Sequence, residues 1–285
     1  VKVLVTGGAG FIGSHLVDAL LARGDSVRVM DNFDPTYDPA IKRARVRGEL
    51  VEGDIRDRAA VDGALRGVDA VFHLAARAGV RQSFADPAGY RDVNVEGTRR
   101  LIERLDGRPL VFASSSSVYG VRTGAAFRED DPLAPASPYA ATKAEAEQVA
   151  AGAAITRLFT VYGPRQRPGM AMEKFLGQLR RGEAITLYGD GSSVRDYTYV
   201  GDAVDGLLRA LGRPGTYNLA GGRAVPLLEV ASTLAELVGV PLRVVQLPEQ
   251  AGDVPETRAD LSRARAELGY VPRTELRAGL ARLVG

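Results

Sequence analysis

The chain has no cysteine and only two histidines, His15 and His73. Disulfides, thiolate catalysis and cysteine-built metal sites are therefore excluded. Two histidines far apart in sequence give no basis for an imidazole metal centre, so no metal is expected. Lysine is almost as scarce: Lys2, Lys42, Lys143 and Lys174 are the whole set, and arginine carries the remaining positive charge. The formal net charge is only +2, and no basic run is dense. That points away from nucleic acid and from anionic membranes. No apolar run reaches the ~18 residues of a membrane span, and the sequence opens without a basic-then-apolar leader. A cytoplasmic protein is expected.

What the chain does have is a rhythm. Its 285 residues, 45% of them hydrophobic, allow one large domain or two modest ones. Short apolar runs alternate with stretches of helical spacing from the first residue: strands at 1–6, 26–30, 50–52, 70–74 and 110–113, helices at 11–23, 59–65 and 92–105. Such alternation implies a parallel sheet covered by helices on both faces. After Pro164 prolines and glycines become frequent, and short strands mix with helices at 172–181, 202–211, 227–237 and 261–268. The fold class expected is α/β: a Rossmann-like, doubly wound parallel sheet over 1–164, then a smaller mixed α/β domain over 165–285. Residues 194–213 are expected to return to the first domain. Only 13 residues lie between Lys143 and Arg157. That is tight for a helix, a turn and a new strand, so either the helix is short or a loop is missing from the sequence.

The segment GGAGFIG sets Gly7, Gly10 and Gly13, with Phe11 and Ile12, directly after the first strand. Glycines there permit a tight turn and let backbone N–H groups approach a pyrophosphate at a helix N-terminus. The bland alternative is a plain strand–helix turn. Asp31, ending the second strand beside Asn32, sharpens the reading: a carboxylate there can accept from both ribose hydroxyls and would repel a 2′-phosphate. NAD is thus favoured over NADP. Asp54 and Ile55, in GDIRD, end the third strand and are candidates for the adenine edge, although a turn or cap role suits Asp54 equally. Leu74, Ala75 and Ala76 follow the fourth strand, where small residues let the cofactor lie against the backbone. His73 reads as scaffold.

Tyr139 and Lys143, in YAATK, are four residues apart and share one helix face. A phenol with pKa about 10 is a poor base at neutrality. Lowering it by roughly 3 units takes ~4 kcal/mol of differential interaction, within reach of two nearby positive charges, the ammonium and an oxidised nicotinamide. The same spacing could be an ordinary surface pair. Here it follows a complete dinucleotide motif and a run of serines, Ser114 to Ser117, at the end of the fifth strand. Ligands of open parallel sheets bind beyond those strand ends. The serines read as a catalytic edge and not as a linker.

These segments, together with HLAA, NVEGT, FTVYGPRQRP, YGDGSSVRDYTYV and GDVPETRADL, resemble the extended short-chain dehydrogenase/reductases of the nucleotide-sugar epimerase/dehydratase group, over nearly the whole chain. The resemblance implies a tightly held NAD and a nucleotide diphosphosugar in the C-terminal domain. It further implies that Tyr139, with Lys143 and the hydroxyl of Ser115, removes the sugar's C4-hydroxyl proton to give a transient 4-keto sugar. Family dehydratases and decarboxylases carry acids just after that hydroxyl residue. This chain has Ser116 and Ser117, which argues for return of the hydride and C4 epimerisation.

Among epimerases the pattern is closest to those acting on UDP-glucuronate. Ser116, Ser117 and Thr160 would offer neutral donors to the sugar's carboxylate. Arg167 and Arg195 are the diphosphate candidates, since guanidinium suits phosphate. Arg81 is expected at the substrate's border, Asp253 at the uridine ribose or in a turn, and Asn94 as a tie between helix and active-site strand. The competing expectations are a UDP-glucose or N-acetylhexosamine 4-epimerase and, from another class, a non-catalytic NAD sensor. The resemblance also implies a homodimer built on the helices at 92–105 and around Tyr139.

Overall fold

The computed structural model describes residues 1–249 and 254–285. Its strands, in chain order, are β1 (Lys2–Thr6), β2 (Ser26–Asp31), β3 (Glu49–Glu52), β4 (Ala70–His73), β5 (Leu110–Ser115), β6 (Ala154–Leu158), β7 (Thr160–Tyr162), β8 (Ile185–Tyr188), β9 (Val194–Tyr199), β10 (Gly215–Leu219), β11 (Ala224–Pro226), β12 (Val244–Leu247) and β13 (Glu256–Thr257).

Seven of them form one parallel sheet in the order β10-β6-β5-β4-β1-β2-β3. The apolar runs become its interior strands because a parallel sheet is covered on both faces. Val3 and Val5 pack with Leu16, Leu20 and Phe72 on one side, while Leu4 packs with Met30, Val61 and Leu101 on the other. That split is the period-two alternation of a strand buried on both faces. The strand order reverses between β1 and β4, which opens a crevice at their carboxyl ends.

The expected fold class is the observed one. β7, β9, β11 and β13 make a four-stranded sheet, and β12 pairs with β8. With the helices Ala171–Arg180, Leu227–Val238 and Leu276–Val284 they enclose a second core around Phe175, Ile185, Val230, Leu234 and Leu280. Of residues 194–213, Val194–Tyr199 is β9 in the smaller sheet, whereas the helix Val200–Ala210 packs on the first helix, Phe11–Ala22. β10 then joins β6 in the large sheet.

One local feature differs from the sequence reading, and another falls on an alternative left open there. The helix expected over 92–105 begins at Pro87, where Asp86 accepts from the Gly89 N–H, and ends at Ile102. Its middle, Asp92–Gly97, is wound as a π-helix. The tight span after Lys143 is spent on a short helix: Pro138–Val149, capped by Ser137, stops at a turn through Gly152, and β6 starts at Ala154.

Candidate active site

The crevice is a cleft of about 440 Å³ at the carboxyl ends of β1, β2, β4 and β5. Gly7, Gly10, Phe11, Ile12 and Gly13 line one end with Asp31, Asn32, Asp54 and Ile55. Leu74, Ala75 and Ala76 line its middle; Ser115, Tyr139, Lys143 and Arg167 line the other end. Ser114, of the serine run, lines it too, as do Tyr37, Lys42, Arg56 and Arg77, which the sequence does not mark as site residues.

The glycine turn leaves no room for side chains. Gly7 has φ +69°, and a Cβ there would stand 2.7 Å from the Ala75 nitrogen; one on Gly13 would stand 2.2 Å from the Gly7 carbonyl oxygen. No side chain caps the Phe11–Ala22 helix and no acid lies in its first turn. Its free N–H groups and dipole therefore face the cleft and suit a pyrophosphate.

Asp31 accepts from the N–H groups of Ala9 (3.2 Å) and Phe33 (2.9 Å), one on each oxygen. Burial raises its pKa against those two bonds. A carboxylate so desolvated is stabilised by further donors, such as the two hydroxyls of a ribose. Asp54 is held differently. Arg56 forks onto it at 2.9 Å and Asn32 donates at 2.8 Å, which lowers it to about 2. The turn, the uncapped helix and the paired carboxylates together fit NAD.

His73 is scaffold. Thr98 Oγ1 gives its proton to the Asn94 carbonyl at 2.6 Å, so it accepts from His73 Nε2–H at 2.9 Å. His73 Nδ1 in turn accepts from Thr6 Oγ1 at 2.7 Å, and that oxygen receives the Ala75 N–H at 3.2 Å. Burial first, then the nearby Lys143 charge, lowers the imidazole to about 3, so it stays neutral. Asn94, inside the π-helical turn, exchanges bonds with the Arg77 backbone at 2.8 and 3.0 Å and donates to Thr142 at 3.0 Å. It ties that helix to the loop after β4 and to the helix of Tyr139.

At the catalytic end, Lys143 Nζ donates to the Ala113 carbonyl at 2.8 Å and lies 4.9 Å over the Phe112 ring. Burial lowers it to about 8, and Glu147 opposes the drop. Tyr139 is hydrogen-bonded to Ser115; burial raises its pKa, while Ser115 and the Arg167 charge pull it down. Ser115 Oγ accepts from the Ser117 N–H at 3.2 Å and from Ser117 Oγ at 2.9 Å. With both acceptor positions used, its own proton is left for the phenol.

Each of the other serines has its own position. Ser114, buried, donates to Glu147 at 2.5 Å. Ser116 is buried in the 3₁₀ turn Ser116–Tyr119 that continues β5. Thr160 opens β7, paired with Tyr197.

Arg167 belongs to a strap, residues 163–170, laid across the cleft. His15 Nε2 donates to the Pro164 carbonyl at 2.8 Å and Arg165 pairs with Asp18 at 2.7 Å, pinning the strap to the first helix. Arg167 pins the far side by donating to the Ala78 carbonyl at 2.8 Å. Its charge is near enough to be felt by Tyr139. Arg195 lies on β9, next to Thr257 of β13, and donates to the Val194 carbonyl at 2.9 Å. Arg81 lies outside the cleft's lining, its guanidinium 5.1 Å above the Tyr188 ring at the end of β8. Asp253 lies outside the described residues.

Residues 3–220 match the model of the NAD dependent epimerase/dehydratase family. The chain belongs to that family. It is 40% identical to UDP-glucuronate 4-epimerase 3 of Arabidopsis thaliana, over 99% of this chain and 75% of that protein. The 322-position alignment exceeds this chain's 285 residues, so the relative carries insertions that this chain lacks. Among solved structures it is similar to the UDP-glucuronic acid 4-epimerase of Bacillus cereus in complex with UDP-glucuronic acid and NAD. The TM-score is 0.92 at 33% identity, covering 100% of this chain and 98% of that one. It is also similar to the dTDP-glucose 4,6-dehydratase DesIV of Streptomyces venezuelae, with TM-score 0.92 at 35% identity and coverage of 100% and 96%. One fold thus serves both a 4-epimerase and a 4,6-dehydratase among these neighbours.

Proposed function

We propose that the chain interconverts UDP-glucuronate and UDP-galacturonate by NAD-dependent epimerisation at C4. The observation that carries this is the distribution of charge in the cleft. Its lining carboxylates, Asp31, Asp34 and Asp54, stand at the ends of β2 and β3, whereas the catalytic end offers Ser115, Tyr139, Lys143 and Arg167. Among the described residues, no carboxyl group lines that end to serve as the acid or carboxylate base of an elimination. A guanidinium is available instead for an anionic substituent.

Bound NAD takes a hydride from a carbinol carbon and can return it. The protein's part is to move the proton and hold the sugar. Tyr139 as phenolate takes the C4-hydroxyl proton directly, and Ser115, its acceptor positions filled by Ser117, donates its own proton to the phenolate oxygen and orients it. Lys143 holds the phenolate by its charge. Inversion follows when the 4-keto sugar receives the hydride on its opposite face; Tyr139 then returns the proton to the oxygen, and the cofactor is unchanged overall. We assign Gly7, Gly10, Phe11, Ile12, Gly13, Asp31, Asn32, Asp54 and Leu74–Ala76 to the cofactor. Arg195 is assigned to the diphosphate. The nearness of Arg167 to Tyr139 supports moving it from the diphosphate to the sugar's carboxylate, shared with Thr160 and Ser116. Clamping that carboxylate so that its C–C bond lies out of overlap with the C4 ketone would prevent loss of CO2 from the β-keto acid.

The domain division at residue 164, a cytoplasmic setting and a homodimer are part of the same proposal. For the dimer, the surface is that of the Pro87–Ile102 and Pro138–Val149 helices, which Arg91 bridges through Glu96 and Glu145; sedimentation of the holoprotein tests it.

Proton NMR of the products from UDP-glucuronate and, separately, UDP-glucose tests the activity. Galacturonate from the first, with little change in the second, is the expected result. Galactose from the second alone would instead favour the hexose reading.

A further inference from the structure

A buried ion pair behind the active site takes no part in the proton transfer described above. Glu147 lies one helical turn beyond Lys143, and Arg157 is the cross-strand partner of Ser114 in the β5–β6 ladder. Both side chains are 6% exposed. Arg157 forks onto the carboxylate, Nη2 to Oε2 at 2.7 Å and Nε to Oε1 at 3.0 Å, while Ser114 donates to Oε1. The other arm of the guanidinium, Nη1, donates to Tyr119 Oη at 2.9 Å and to the Glu129 carbonyl at 3.0 Å. Tyr119 passes its proton to Asn218 Oδ1 at 2.6 Å, and Asn218 Nδ2 donates to the carbonyls of Phe127 and Asp260.

The geometry has a direct consequence for the catalytic residues. Tyr139, Lys143 and Glu147 occupy successive turns of one helix, and Ser115 directly follows Ser114 on β5. The fork therefore fixes the height of the helix above the strand that carries Ser115. An apolar contact would hold the two together but would permit sliding and rotation; a bidentate guanidinium–carboxylate pair has one geometry. The pair also fixes charge. The titratable groups facing Lys143 are Glu147, on its own helix, and neutral His73 on β4. Glu147 is thus the only anion among the described neighbours that supports the ammonium.

We infer that Glu147 and Arg157 are positioning residues of the reaction: they set the register of the Tyr139–Lys143 helix against Ser115 and keep Lys143 charged beside the phenol. The inference rests on reading Tyr139 and Lys143 as the catalytic pair.

The test uses Glu147→Gln, which keeps the shape and removes the charge, and Arg157→Lys, which keeps the charge and removes the fork. Both are examined as NAD-loaded protein by two readouts. The first is the phenolate difference absorbance of Tyr139, obtained by subtracting the titration of a Tyr139→Phe protein; it does not depend on which sugar is turned over. The second is the pH profile of kcat with UDP-glucuronate. For Glu147→Gln the phenolate step moves to higher pH and the basic limb of kcat to lower pH, because Lys143 loses its proton more easily. kcat at the optimum falls tenfold or more, with KM changed less than threefold. For Arg157→Lys kcat falls with a smaller displacement of the limbs. If Glu147→Gln does not fold, the loss of kcat at unchanged KM in Arg157→Lys carries the test. Unshifted titrations with a kcat scaled equally at every pH would overturn the inference and leave only a structural ion pair. An inactive wild type with a shifted phenolate step would sink the substrate reading while sustaining this one.

Discussion

Ser117 donates its hydroxyl proton to Ser115 Oγ at 2.9 Å, and its backbone N–H reaches the same oxygen at 3.2 Å. The serine run is therefore a small device: the hydroxyl and backbone N–H of Ser117 fill the two acceptor positions of Ser115 and turn that residue's proton toward Tyr139. Replacing Ser117 by Ala removes one of the two donors, worth about 1 kcal/mol. kcat should fall about fivefold with KM little changed, against a loss of ~100-fold or more for Ser115→Ala, which removes the hydrogen bond to the phenolate itself. Steady-state kinetics of the two variants decides. Equal losses would contradict the division of labour.

Burial brings Lys143 to about 8. If its charge supports the phenolate, activity declines as pH rises past that value and the ammonium is lost. Lys143→Arg keeps a charge that does not titrate in this range. Its residual activity should be lower, with no basic limb near pH 8. A basic limb unchanged in the variant would show that another group sets it.

His73 is held neutral with its pKa lowered to about 3 from an ordinary 6.5. Between those values the unfolded chain binds a proton that the folded one does not. Folding stability from this residue is fully present above pH 6.5 and is lost as pH falls toward 3, by about 1.4 kcal/mol per unit. His73→Gln is expected to be less stable at pH 7, because the Thr6 and Thr98 contacts are disturbed, yet to lose less on acidification. Thermal unfolding at pH 7 and pH 5 compares the two slopes. Parallel slopes would contradict the assignment.

Thr160 stands at the start of β7, just after Phe159 of the cleft wall. As a donor to the substrate carboxylate it would help keep the β-keto acid intact. Thr160→Val should raise the share of decarboxylated pentose product, read by NMR as the reaction approaches equilibrium. Unchanged product purity would remove Thr160 from the clamp.

The parts of the site legible in the sequence are those in which chemistry is written locally. GGAGFIG, Asp31 and YAATK each place their groups through a single turn or helix, and the structure brings all of them to one cleft. The parts not legible depend on contacts between distant segments. The residue type of Arg167 suggests phosphate; its position follows from the strap, which is set by His15 and Asp18 nearly 150 residues away. Glu147 could have been noticed at four residues beyond Lys143, but its meaning needs Arg157 on a neighbouring strand. The helical stretch before Leu105 was recognisable by its period, whereas its π-helical turn was not, since an added residue leaves little trace in an apolar pattern. The short span before Arg157 is occupied by the end of a twelve-residue helix and a turn, an arrangement that its length alone leaves open.

The central claim is that a hydrogen leaves C4 of UDP-glucuronate and returns to its other face with the carboxylate intact. The most direct measurement starts from UDP-glucuronate deuterated at C4, incubated with the NAD-loaded protein in ordinary water. NMR and mass spectrometry of the product are predicted to show UDP-galacturonate that keeps its deuterium at C4. A UDP-pentose, or galacturonate bearing solvent hydrogen at C4, would contradict the account.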